Sequence, residues 1–182
     1  MVGVALVVGF GLSWYALSDG RLFGAIRIGP WTAWHNVGAS TPDPYTRAYV
    51  ARAGALQLGA SEGMQFTATT DSDGQRLERN CNYRIDGTTP VAAFWTMVPV
   101  DGSGRIVTRP NGPAAFNSTH LARENDGSLQ LHIGKDLRPQ NWLELAGDGS
   151  YSLVLTLYDT ASFAGIAAAP ANLPAIIREG CR

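Results

Sequence analysis

Hydrophobic positions along the chain fall into three patterns. From Met1 to Leu17 they are unbroken by charge, in the run MVGVALVVGFGLSWYAL. From Tyr45 to Leu56 they recur at helical spacing, with Tyr45, Tyr49, Ala53 and Leu56 on one face and Arg47 and Arg52 nearer the other. From Gly63 on they form short runs divided by turn residues, the pattern of strands. The helix has a defined start, because Asp43 can accept from free backbone N–H groups and Pro44 suits the first helical position. Gly59 is its expected stop, after Leu58.

The strand reading runs as follows. Met64 to Thr70 ends at Asp71-Ser72-Asp73-Gly74, and Cys81 to Ile85 ends at Asp86-Gly87. Phe94 to Val100 carries Pro99, which marks an edge or a bulge. Asp101-Gly102-Ser103-Gly104 then turns the chain into Arg105 to Thr108. His120 to Arg123 and Ser128 to Ile133 flank Asp126-Gly127, a two-residue hairpin signal. Trp142 to Leu145 and Tyr151 to Tyr158 follow; the latter is apolar on both faces and is expected to be central. About eight short strands with close turns predict a mainly β fold, an antiparallel β-sandwich of jelly-roll-like form with one helix before the first strand. No internal repeat is visible.

The leader changes the picture of where this domain sits. Residues 1–20 read as a transmembrane anchor or a signal segment, residues 21–40 as a linker and residues 41–182 as the domain. The apolar run is short beside the roughly 20 residues of a span. Ala16 and Ser18 would suit a signal cut after Ser18, whereas Trp14 and Tyr15 would suit anchors at a membrane interface. No Lys or Arg precedes the run, and Arg21 and Arg27 follow it. The positive-inside bias read literally puts the body in the cytoplasm. With a basic region upstream of Met1 the sense reverses, and the expectation is a cell-membrane protein whose body faces the periplasm. Trp31 and Trp34, in the linker RIGPWTAWHN, are expected to pack on the domain edge or the membrane surface.

Composition supports a real core and removes one class of partner. Of 182 residues 45% are hydrophobic and 16% charged, so the chain is not of disordered type. Fourteen basic residues against fifteen acidic leave no excess to neutralise a phosphate backbone, which argues against nucleic acid. Cys81 and Cys181 match no zinc or redox spacing. They are either two unrelated buried thiols or one disulfide. The disulfide would close a loop of about 100 residues, worth roughly 4–5 kcal/mol in the chain-entropy model, and would persist only in an oxidising compartment.

Candidate chemistry is sparse. With Asp126-Gly127 as a hairpin loop, His120 falls on the inner face with Leu129, Leu131 and Ile133, and His132 falls outside with Gln130 and Arg123. The two could then share no metal, and no metal or cofactor is expected. His35 lies in the linker and reads as solvated. Asp71 to Gly74 starts like a calcium loop but lacks the third oxygen ligand before its glycine, so it reads as a turn. No G-x-S-x-G, H-E-x-x-H or phosphate-cradling loop occurs. Asn117-Ser118-Thr119 matches a glycosylation sequon. Tyr83, Arg84, Trp95, Asn117, Ser118, His120, Asn141, Trp142 and Tyr158 gather near expected strand ends, where aromatics beside amides could line a small-ligand pocket or merely plug the sandwich.

The succession PDPYTRA, GALQLGASEGMQFTATTDSDG, CNYRIDGTTPVAAFWTM, DGSLQLHI, NWL and YSLVLTLYD resembles the family named domain of unknown function 1214. The resemblance runs from Thr41 to Asp159, and its most specific parts are Tyr83 to Trp95 and Asn141 to Tyr158. It implies a β-sandwich, a membrane-anchored envelope protein among short bacterial members, and a partner of the type numbered 1254, to which longer relatives are joined. It transfers no catalytic residue. The expected function is binding of a ligand or protein without catalysis. The alternative is an enzyme on a carbohydrate or small molecule, using His120 or the acids Asp71 and Asp73.

Overall fold

In the computed structural model, which describes residues 2–19, 25–34, 38, 41–53, 58, 62–90, 92–159 and 172–182, period-two alternation organises most of the chain. The strands are β1 (Ala25–Ile28), β2 (Trp31–Trp34), β3 (Gly63–Ala68), β4 (Cys81–Gly87) and β5 (Phe94–Val100). They continue as β6 (Phe116–Asn117), β7 (Leu129–Gly134), β8 (Asn141–Glu144), β9 (Ser152–Tyr158) and β10 (Ala175–Cys181). β5 alternates partly exposed and buried residues without a break, which sends Trp95 and Met97 inward. A six-stranded sheet has the order β1-β2-β3-β9-β5-β6, and a four-stranded sheet the order β10-β4-β7-β8. Every pairing is antiparallel except β7 with β8.

The two sheets share one core. Trp31, Phe66, Trp95, Met97, Leu153 and Leu155 come from the first, and Tyr83, Ile85, Leu131, Ile133, Leu143 and Ile176 from the second. The fold is therefore mainly β, as the turn spacing predicts. The jelly-roll detail does not hold, because that form divides eight strands between two Greek keys, whereas here six strands face four. β9 lies between β3 and β5, the central place expected of a strand apolar on both faces. Pro99 sits on β5 beyond the two residues where β6 pairs, so its missing N–H leaves no ladder bond unmade on that side.

Two helices are described, α1 (Val2–Asp19) and α2 (Pro44–Ala53). The predicted cap of α2 is present: the Thr46 N–H donates to Asp43 Oδ1 at 3.1 Å, and its hydroxyl donates to Oδ2. The expected end at Leu58 and Gly59 falls largely outside the described residues. α1 touches α2, yet Val2, Val4, Leu6, Val7, Val8, Phe10, Leu12, Trp14 and Tyr15 are all exposed. Among the described residues no helix is long and apolar enough to cross a membrane, so a span is not part of the observed architecture.

Several expectations need correction. Residues 25–34, read as linker, form a β1–β2 hairpin that pairs with β3. Trp31 is fully buried there, its indole N–H donating to Pro174 O at 2.8 Å, so it is core and not an edge or membrane contact. Asp126-Gly127 does make a tight turn, with the Gly127 N–H on Glu124 O at 2.9 Å, but Leu121 to Arg123 is not a strand. β7 pairs with β4 on one side and β8 on the other, which leaves no free edge for a hairpin partner. Arg105 to Thr108 contributes only isolated bridges. β10 was not foreseen.

A short structural repeat also emerges. After β3, the Asp71 N–H bonds Gln75 O at 2.8 Å, Gly74 N bonds Asp71 O at 3.0 Å, and Asp71 Oδ1 accepts from the N–H groups of Asp73 and Gln75. After β5, Asp101, Ser103, Gly104 and Arg105 make the same set. In both copies the aspartate turns its acceptors to backbone donors, which is the work of a turn and not of a cation loop. Ser103 and Arg105 hold the Asp101 carboxyl well below the ordinary range.

Cys81 and Cys181 are disulfide-bonded and stand opposite each other at the end of the β4–β10 ladder. The choice between thiols and disulfide is thereby decided: no free cysteine remains.

Candidate functional site

Register places three polar side chains in a row. β4, β7 and β8 are neighbours, with Arg84 opposite His132 and His132 opposite Trp142. Strand alternation turns these away from Tyr83, Ile85, Leu131, Ile133 and Leu143, which fill the core, so the row lies on the outer face of the four-stranded sheet. His132 is only 8% exposed there. Arg84 Nε, His132 Nδ1 and Trp142 Nε1 are all shielded from solvent and make no hydrogen bond.

Glu179, from β10, faces the same row. Its Oε1 lies 3.8 Å from Arg84 Nε, and its Oε2 lies 3.9 Å from His132 Nδ1 and 3.3 Å from an Arg138 guanidinium nitrogen. Arg84 Nε is also 3.0 Å from Asp86 Oδ2, close enough for charge attraction but without hydrogen-bond alignment. The site thus holds two guanidiniums, an imidazole and an indole with two carboxylates, Glu179 facing the row from β10 and Asp86 beside Arg84 on β4.

Local packing explains how the elements are held. A Cβ at Gly134 would come 2.1 Å from Asn82 Oδ1, so only glycine leaves room for that side chain. Asn82 in turn donates to Asp136 Oδ2 at 2.6 Å and accepts from the Asp136 N–H at 3.2 Å, which fixes the β7–β8 connection that carries Arg138. The Asn82 amide, with Arg182 beside it, keeps the Asp136 carboxyl below its ordinary range. On the core side Asn141 ties a loop to β7: its Oδ1 accepts from Ala122 N at 2.9 Å, and its Nδ2 donates to Ala122 O and Gln130 O.

The candidate residues of the sequence separate into two groups. Arg84 and Trp142 belong to the row, and Asn141 braces the strand that carries Trp142. Tyr83 is core, its hydroxyl accepting from Glu78 N at 2.9 Å and its ring edge-on to Tyr151. Burial raises the pKa of both phenols, and that of Tyr151 the more strongly. Trp95 is core as well, and Tyr158 packs on Phe94. Asn117 accepts from Thr119 and from the His120 N–H, closing a turn after β6, while Ser118 Oγ accepts from Trp95 N.

His120 is exposed, not turned inward, because the segment expected to pair it with Ile133 is no strand. Asp71 is buried against Arg178 Nε at 2.9 Å while Asp73 is exposed, so the two do not form a pair of free catalytic acids. His35 lies outside the described residues. Glu179 and Arg138 escaped the sequence reading, which put His132 on the outer face but gave it no role there. No group of three or more His, Cys, Asp or Glu that could hold a metal occurs among the described residues.

Two solved structures share this fold. The VPA0106 protein from Vibrio parahaemolyticus is 15% identical with a TM-score of 0.61, the match covering 75% of this chain and 35% of that one. An uncharacterised protein from Burkholderia cenocepacia is 17% identical with a TM-score of 0.50, covering 92% and 39%. This chain therefore spans little more than a third of either, and at such identities the likeness concerns the fold alone. No curated protein matches it. The family model described as protein of unknown function, DUF1214, matches residues 62–162, more than half of the chain and most of the two sheets. The chain belongs to the DUF1214 family.

Proposed function

We propose that this is a binding domain of the cell envelope, held at a membrane by its N-terminal helix and recognising a ligand or partner on the outer face of the four-stranded sheet. The carrying observation is the row of shielded nitrogens on Arg84, His132 and Trp142 that make no hydrogen bond, Arg84 and His132 having only charge contacts with Asp86 and Glu179. Each such group left without a partner costs about 1–3 kcal/mol, and folded proteins keep few of them. Three in one register are explained if something else supplies the acceptors. Donors beside an aromatic ring are equipment for recognition.

The membrane part rests on α1. Val2, Val4, Leu6, Val7, Val8, Phe10, Leu12, Trp14 and Tyr15 are exposed along it, with Ser13 the one polar residue among its described side chains, and so much exposed apolar surface favours an apolar cover. Residues 1–17 are the proposed contact, with the body on the periplasmic side. The disulfide supports an oxidising compartment. A partner of the type numbered 1254 accords with the larger size of the two similar proteins, of which this domain is only a part.

Two measurements test these halves. The full chain is expected to float with phospholipid vesicles in a density gradient, and Val7→Asp with Phe10→Asp to stay at the bottom; equal behaviour of both proteins would sink the membrane half. His132→Leu is expected to leave stability unchanged or raise it by about 1 kcal/mol, since it removes an unsatisfied buried nitrogen. A loss above about 2 kcal/mol in urea unfolding would make His132 a structural group and end the binding reading.

A further inference from the structure

We propose that the outer-face site takes an anionic oxygen group, a carboxylate or a phosphate, and that Glu179 is the internal stand-in this ligand displaces. The inference rests on the binding reading above and names its ligand class.

Three donor-bearing side chains from three places converge on Glu179: Arg84 from β4, His132 from β7 and Arg138 from the β7–β8 connection. Charged N–H groups bond carboxylate oxygens at about 2.7–2.9 Å when geometry allows. Here the separations from Glu179 are 3.3 to 3.9 Å; Asp86 Oδ2 stands nearer Arg84 Nε, at 3.0 Å but out of hydrogen-bond alignment, and Arg84 Nε and His132 Nδ1 remain without a hydrogen bond. The guanidinium charges attract Glu179, but Arg84 Nε and His132 Nδ1 make no hydrogen bond to it.

The reason lies in the backbone of β10. Glu179 stands where the β10–β4 register shifts, between Arg178 and Gly180, and two residues later the strand is tied to β4 by Cys181. Its carboxylate is tethered short of the donors. A free anion has no such tether and can close the gap. Two guanidiniums favour a planar or tetrahedral oxyanion with several acceptors, and the indole of Trp142 offers a further N–H in the same row. Glu179 is partly exposed, so its side chain can swing to solvent while β10 stays in place.

The test uses the full, disulfide-bonded chain with nitrogen-15 label, following the His132 ring and Trp142 indole signals. The probes are inorganic phosphate, acetate and a neutral disaccharide. Both signals are expected to move with phosphate or acetate. Glu179→Gln is expected to tighten that binding roughly tenfold or more, as it would if the carboxylate occupies the site about nine-tenths of the time. Arg84→Met in the Glu179→Gln background should abolish it. Equal affinity in wild type and Glu179→Gln would overturn the stand-in role. Movement with the disaccharide alone would overturn the anion class and leave the binding reading intact. Silence with every probe in both proteins would remove both.

Discussion

Replacing Cys81 and Cys181 by serine is expected to lower the unfolding free energy by about 4–5 kcal/mol and the melting temperature by roughly 10 °C or more. The bond joins residues 100 apart, so it removes a large part of the freedom of the unfolded chain. It also acts locally. The pairing of Cys181 with Cys81 closes the ladder beyond the register shift, where β10 is held least well by strand pairing. Urea unfolding of the oxidised protein, the reduced protein and the double serine variant measures the effect. Reduced and serine proteins should agree, and hydrogen exchange should rise first at residues 179–182. A change below about 1 kcal/mol would show that the tail is held by its other contacts alone. Alkylation without reductant should add no mass to the native protein.

What could be read ahead of the structure was local. Asp43 and Pro44 mark a helix start because the cap is made within three residues. The last long apolar run marks a central strand because Leu153, Leu155 and Leu157 fill the core on one face while Thr156 is buried on the other. The β1–β2 hairpin was legible in kind, since Gly29, at φ +56°, and Pro30 form a turn between Ile28 and Trp31. Its tryptophans and its place beside an apolar leader drew the reading towards a linker. β10 was not legible. Its sequence AIIREGC is unremarkable by itself, and the strand exists because β4, about a century of residues earlier, gives it a ladder and a sulfur.

The site shows the same division. Arg84 and Trp142 were picked out as polar and aromatic residues near strand ends, which is a property of single segments. Their meeting depends on the β4–β7–β8 order, and one of those pairings is parallel across a connection of only six residues, short for parallel neighbours. The hairpin reading gave His132 the outer face but no neighbours that would shield it. Arg84 and Trp142 flank it in register, and Glu179 reaches it from a strand the sequence did not announce. His120 drew attention by the same reading and lost its role with it.

Asp71→Ala is expected to cost about 3–5 kcal/mol, the usual result of stripping one partner from a buried ion pair. The carboxylate is almost wholly buried, accepts Arg178 Nε at 2.9 Å and also receives two backbone N–H groups of its own turn. Its loss leaves Arg178 over the Tyr83 ring with Arg76 O and Cys181 Sγ as remaining acceptors. The neighbouring Ser72 bonds both the N–H and the carbonyl of Ile176, so this turn clasps β10 to the end of β3. Asp101 provides the control, because it builds the same turn at the surface with an arginine that is mostly exposed. Asp101→Ala should lose visibly less. That carboxyl is held low in the folded state, so its contribution is present above the ordinary carboxylate range and fades as pH falls through and below it. A thermodynamic cycle of Asp71→Ala and Arg178→Met separates the pair from the turn. The double variant is expected to lose less than the sum of the single losses, by about 1–3 kcal/mol. Strict additivity would mean that Asp71 stabilises only its own turn, and that β10 is held by the disulfide and the β4 ladder without this clasp.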